Sequence, residues 1–119
     1  MPVMTEDALI TVQDGARRLR FAGERIASVS TRDRGRDRWI ELELYRTTAG
    51  SFVVASIGRS IVPNESDHFR ASICTRADGV VEELTRVDDF GVRYLTHTAR
   101  ALLEEASAND KDIEEVYRL

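Results

Sequence analysis

The sequence predicts an α+β domain: an antiparallel β-sheet of about five strands in a hairpin meander, followed by one long and one short C-terminal helix. Three observations predict it. Arg38 to Thr47 alternates apolar and polar residues with period two. Asp14-Gly15 and Asp78-Gly79 are turn signals that punctuate strand-like sequence. Beyond Asp88 the apolar spacing changes to the helical period, and strands followed by helices make an α+β arrangement.

Each element has its own signal. Ala8 to Gln13 runs into Asp14-Gly15, a pair suited to a two-residue hairpin turn. Closing it with Gln13 opposite Ala16 sets Val12 opposite Arg17, Ile10 opposite Leu19 and Ala8 opposite Phe21, with Ile10, Val12, Leu19 and Phe21 on one face. Gly23 is expected to bend or bulge this strand before Arg25 to Ser30 continues it. In Arg38 to Thr47, Ile40, Leu42 and Leu44 share one face, and Trp39, Glu41, Glu43 and Tyr45 the other. The chain returns through Ser51 to Arg59 in one of two registers. Pairing Arg46 with Ser51 sets Leu44 against Val53, Leu42 against Ala55 and Ile40 against Ile57; slipping by one faces them with Val54, Ser56 and Gly58. A slip turns over the whole apolar set, so the first register is expected, with Tyr45 beside Phe52 and Trp39 across Gly58.

Pro63 closes that strand, Asn64 to Asp67 reads as a loop, and Phe69, Ala71, Ile73 and Thr75 alternate in a fifth strand. Asp78-Gly79 is expected to turn, and Val80 to Val87 is open between strand and short helix. Leu95, Thr98, Ala99, Leu102, Leu103 and Ala106 then mark the long helix, with Asp88 or Asp89 as its N-cap and Arg93, His97, Arg100 and Glu104 on its polar face. Ile113, Val116 and Tyr117 mark the short helix, capped by Asn109 or Asp110.

Composition limits the function classes. The chain has 119 residues, 42% hydrophobic and 32% charged, which suits one α+β domain spanning residues 1–119. No apolar run approaches the roughly 18–20 residues that cross a bilayer, and a cytoplasmic protein is expected. The single cysteine, Cys74, excludes an intramolecular disulfide. Residues 1–60 hold ten Arg against eight acids, and residues 61–119 seven basic groups against thirteen, for a net charge of −4. That acidic balance argues against a general nucleic-acid binder.

Four groups of residues are candidates for chemistry or contact. His68, His97 and Cys74 are the imidazoles and thiol available for catalysis, but no spacing brings them together, and Cys74 lies mid-strand. No zinc or calcium spacing and no glycine-rich phosphate cradle occurs, so neither metal nor cofactor is expected. The loop Arg32-Asp33-Arg34-Gly35-Arg36-Asp37-Arg38 sets Arg32, Arg34, Arg36 and Arg38 on one connection, where they could clamp phosphates. Trp39, Tyr45 and Phe52, with Glu41 and Glu43, would form an outer aromatic face of the kind that anchors protein contacts, unless the helices or a loop cover it. Finally, Glu104, Glu105, Asp110, Asp112, Glu114 and Glu115 make the tail acidic.

Leu19-Arg20-Phe21-x-Gly23, Arg38-Trp39-Ile40-Glu41, Leu44-Tyr45-Arg46-Thr47, Gly50 and Phe52-Val53-Val54 resemble the central region of small bacterial EXLDI-type proteins, over about a third of the chain. The resemblance implies a shared strand framework and no established activity. That family's N-terminal helical segment, suited to DNA binding, has no counterpart here. The chain ends Glu115-Val116-Tyr117-Arg118-Leu119 in place of the family's terminal motif, so no functional residue is transferred.

The functional expectation is a small, non-enzymatic bacterial protein-interaction module, homodimeric or bound to another protein through Trp39, Glu41, Glu43, Tyr45 and Phe52. Inhibitors of bacterial host-defence systems carried by phages and mobile elements are one class of this kind. The alternative is a nucleic-acid-binding regulator that uses the Arg32–Arg38 loop.

Overall fold

The computed structural model describes residues 9–33 and 35–118. Five antiparallel strands form one sheet in chain order: β1 (Leu9–Asp14), β2 (Arg17–Ser30), β3 (Arg38–Thr47), β4 (Phe52–Ser60) and β5 (His68–Cys74). Helix α1 (Ala77–Leu84) follows, then a separate two-stranded hairpin of β6 (Arg86–Val87) and β7 (Arg93–Tyr94). Helices α2 (His97–Asn109) and α3 (Lys111–Tyr117) come last. The α+β meander with its long and short C-terminal helices is as the sequence predicts; α1 takes the short-helix alternative for Val80 to Leu84 but begins earlier, at Ala77, and the β6–β7 hairpin is an addition. Among the described residues, no helix is long and apolar enough to cross a membrane.

The central strands are buried on both faces. Leu42, Leu44, Phe52 and Val54 face the helices and pack with Val80, Leu102, Leu103 and Ile113. Tyr45, Val53, Ala55 and Ala71 lie on the other face, covered by Ile10, Val12, Leu19 and Phe21 of the β1–β2 hairpin. The sheet curls to allow this. The Gly15 amide donates to the Phe69 carbonyl (2.7 Å), and the Asp14 Oδ1 carboxylate oxygen accepts the Ala71 amide (3.2 Å), so the first turn is fastened onto β5. A bulge between Arg25 and Ala27 bends β2 and places both Ile26 and Ala27 in the helix-side core. Asn109 Nδ2 donates to the Ile26 carbonyl, tying α2 to that bulge. Gly23, expected to carry the distortion, is instead a point of close approach: a Cβ there would collide with the Arg46 carbonyl oxygen and lie 2.9 Å from Thr47 Cα.

Two registers differ from expectation, and each is set by its turn. In the first hairpin Asp14 pairs with Arg17, Val12 with Leu19 and Ile10 with Phe21. The loop is Gly15-Ala16, with the left-handed residue at Gly15 (φ +59°), the glycine-first form of a two-residue turn. The displacement is two residues, so the expected face survives; Ala8 lies outside the described residues. In the second hairpin Arg46 pairs with Phe52, Leu44 with Val54, Leu42 with Ser56 and Ile40 with Gly58. This is the register set aside on the sequence. The loop is Thr48-Ala49-Gly50 with Gly50 at φ +92°, closed by Thr47 and Ser51, a three-residue turn ending in a left-handed glycine. The assumption of one apolar face fails because Tyr45 and Val53 need burial as much as Leu44 and Val54 do. Tyr45 and Phe52 therefore lie on opposite faces, and Trp39 pairs with Arg59 rather than lying across Gly58.

Asp78-Gly79 is not a turn. It lies within α1, whose Ala77, Val80 and Leu84 are buried, and Gly79 packs over Cys74 (a Cβ would sit 3.6 Å from Cys74 Cβ). Nor do Asp88 or Asp89 cap the long helix. Thr96 does, accepting the Ala99 amide at 3.0 Å, which leaves Arg93 on β7. Asp110 caps α3, accepting the amides of Asp112 and Ile113, as one of the two expected candidates.

Candidate functional site

The expected aromatic face is dispersed by the register. Tyr45 is 8% exposed and Phe52 1%. Tyr45 meets the Phe21 ring edge-on (5.4 Å, 71°), donates its hydroxyl to Glu43, and is enclosed by the β1–β2 hairpin. Burial, and then the Glu43 carboxylate, push its phenol far above the ordinary range. Arg25 lies 3.6 Å from the same Glu43. Phe52 faces the helices with the Arg46 guanidinium 4.3 Å from its ring centroid. Arg46 also bonds Asp110 and Asp112 at the start of α3 (3.1 and 2.9 Å).

Trp39 alone of the three reaches the surface, half-buried. Its Nε1 donates to Glu41 (3.0 Å), and the Arg32 guanidinium lies 4.5 Å from its ring centroid. Glu41 also accepts from Arg59 (3.1 Å), which in turn bonds Asp67 (3.0 Å). The Trp39 hydrogen bond, followed by Arg59, holds the Glu41 carboxyl below its usual range against the opposing effect of burial.

The arginine loop is largely engaged within the chain. Arg32 covers Trp39, and Arg38 grips Glu65 with both Nε (2.8 Å) and Nη2. With Ser60 also donating, the Glu65 carboxyl falls to about 2. Arg34 lies outside the described residues. Arg36 makes no ion pair with a described residue, so among the described loop cations it is the one left to meet a ligand.

His68 and Cys74 stand at opposite ends of β5, paired with Gly58 and Phe52, about 20 Å apart at the strand rise. Burial, then Glu83, raises the Cys74 thiol, keeping it protonated. His97 is exposed at the start of α2. The acidic tail is mostly structural. Glu105 accepts the Ser28 amide (3.1 Å), Glu104 pairs with Arg118 (2.8 Å), and Asp110 and Asp112 hold Arg46; Glu114 and Glu115 are exposed.

Two features escaped the sequence. The helices cover only one end of their sheet face. At the other, Ile40 is 49% exposed beside Gly58, and Thr31 and His68 flank them across the neighbouring strands. With Arg36, Arg38, Ser60, Glu65 and Ser66 at the rim, they line a pocket of about 650 Å³. Trp39 and Arg59 also line it, although the alternation of side chains turns their hydrogen-bonding groups to the Glu41 face.

The second feature is the β6–β7 hairpin. Asp88 Oδ1 accepts the amides of Phe90 and Val92, both at 2.9 Å, and Gly91 (φ +80°) ends the three-residue loop Asp89-Phe90-Gly91. Phe90 is 91% exposed at its tip, with Val87, Val92 and Tyr94 also exposed. The signal was present: Val87-Asp88-Asp89-Phe90-Gly91-Val92 matches a short hairpin better than a helix start.

No family model matches the chain, and no curated protein or solved structure matches it. The functional reading therefore rests on this geometry.

Proposed function

We propose that the chain is a small, non-enzymatic protein-interaction module whose contact element is the β6–β7 hairpin. The observation that supports this is Phe90, a large apolar side chain 91% exposed on a turn that Asp88 holds in shape. Val92 and Tyr94 carry the apolar surface down one face of the hairpin, and Val87 is exposed on the other. Covering Phe90 alone would contribute about 1.5–3 kcal/mol, and a central aromatic with a polar rim is the usual form of an interface hot spot. The contact thus moves from Tyr45 and Phe52, which are buried, to a hairpin on the opposite side of α1 in the sequence. Inhibition of a host-defence system is one role such a module fills, by analogy of class.

The test is affinity purification of the tagged chain and of Phe90→Asp, with and without nuclease, read by mass spectrometry. A stoichiometric protein that survives nuclease and is lost with Phe90→Asp is the expected result. Equal recovery by the variant overturns the assignment. Association lost on nuclease digestion, and on Arg36→Ala, would transfer the reading to the arginine loop.

A further inference from the structure

We infer that the occupant of the bare end of the sheet is the hairpin of a second copy of this chain, Phe90 of one copy seated over Ile40 and Gly58 of the next. The inference rests on the hairpin being a contact element and names its partner.

The two features complement each other in shape and charge. The pocket has an apolar floor, Ile40, widened where Gly58 carries no side chain, and about 650 Å³ of space. That volume lies within the range of sites that enclose a compact apolar group. Its rim is basic: Arg38 is neutralised by Glu65, and Arg36 has no carboxylate partner among the described residues. The hairpin presents the inverse, an aromatic plug flanked by Asp88 and Asp89, both exposed. Asp88 uses its carboxylate on its own turn, so Asp89 is the group placed to meet Arg36 as Phe90 enters. Within one chain the plug is not in the socket, since Phe90 remains 91% exposed. Each copy carries one of each, and reciprocal docking of two copies makes a two-fold dimer with two equivalent contacts.

Sedimentation velocity of the purified chain over a concentration series provides the test. The wild type should dimerise. Phe90→Asp (no plug) and Ile40→Asp (no socket) should each dissociate at least about tenfold more readily, since burying an aromatic is worth one or more decades of affinity. Both positions are exposed in the single chain, so at concentrations where the wild type is monomeric both variants should melt like it. Gly58→Trp provides a second socket block: a Cβ at Gly58 meets His68 Cβ at 3.6 Å, an ordinary contact. Mixing Phe90→Asp with Ile40→Asp should restore association, because one supplies an intact socket and the other an intact plug. A monomeric wild type, a dimer that survives either variant, or a mixture that stays monomeric overturns the inference. A monomeric wild type whose lysate partner is still lost with Phe90→Asp would overturn only the second copy, leaving the hairpin as a contact for a different protein.

Discussion

Two hairpins of this chain both carry large apolar side chains and meet opposite ends. The first, β1–β2, sets Ile10, Val12, Leu19 and Phe21 on one face and lays them over Tyr45 and Val53. The second, β6–β7, leaves Phe90 exposed at its tip, Val92 and Tyr94 exposed on one face and Val87 on the other. What separates them is attachment. The first turn is fastened to β5 through Gly15 and Asp14, and β2 continues for fourteen residues into the main sheet. The second has two-residue strands, held at their base by Arg93 to Glu82 and by the Arg86 guanidinium to the Glu83 carbonyl. Apolar side chains alone therefore do not decide whether a hairpin is buried by its own chain; gathering them on one face and anchoring that face to the sheet does.

The contrast can be broken in steps of decreasing size. Tyr45→Ala removes the centre of the face that the first hairpin covers, and should lower the unfolding free energy by about 3–5 kcal/mol in urea titrations. Gly23→Ala forces a methyl group against the Arg46 carbonyl where β2 enters the main sheet, and a cost of about 1–3 kcal/mol is expected by the same measurement. A third expectation concerns alkaline pH. The Tyr45 phenol is raised in the folded state, so its contribution is complete below the ordinary tyrosine value of about 10 and is lost as pH rises above it. The thermal midpoint should therefore fall above that pH, and fall less steeply in Tyr45→Phe, which has nothing to ionise there. At the small end, Phe90→Ala should change the stability of the monomer, measured at concentrations below dimerisation, by no more than about 0.5 kcal/mol, because an exposed side chain has little folded packing to lose. A large loss would show that the second hairpin is buried by its own chain after all.

How much of this was legible depended on whether a signal was local. The bounds of β3, the face shared by Ile10, Val12, Leu19 and Phe21, the Asp110 cap and the apolar stripe of α2 follow from spacing within one element, and the structure reproduces them. The β3–β4 register was not local. It depended on the other face also being a core, which only the fold-back of β1–β2 makes true. Asp78-Gly79 misled for a related reason: glycine serves there to let α1 approach Cys74, a need invisible without the sheet beneath it. Of the candidate site residues, Trp39 and the arginine loop were found as residue types, and the Trp39–Glu41 bond is local to β3, but the grip of Arg38 on Glu65 joins segments far apart in sequence. The pocket could not be read at all, since it exists only where the helices stop short of Ile40.

Arg46 carries a consequence for how the chain opens. The seven residues of α3 are too few to stay helical alone. What holds them is one guanidinium reaching from β3, seated on Phe52 and bonded to both Asp110 and Asp112, together with the burial of Ile113. Asp112 is exposed enough for salt to weaken its bond. Helix α3 is thus a segment able to detach while the sheet stays intact, a sub-global opening set by ionic strength. Native-state hydrogen exchange would record it as amides of Glu114 and Arg118 that exchange sooner than those of β3 and β4, with the interval widening as salt is added.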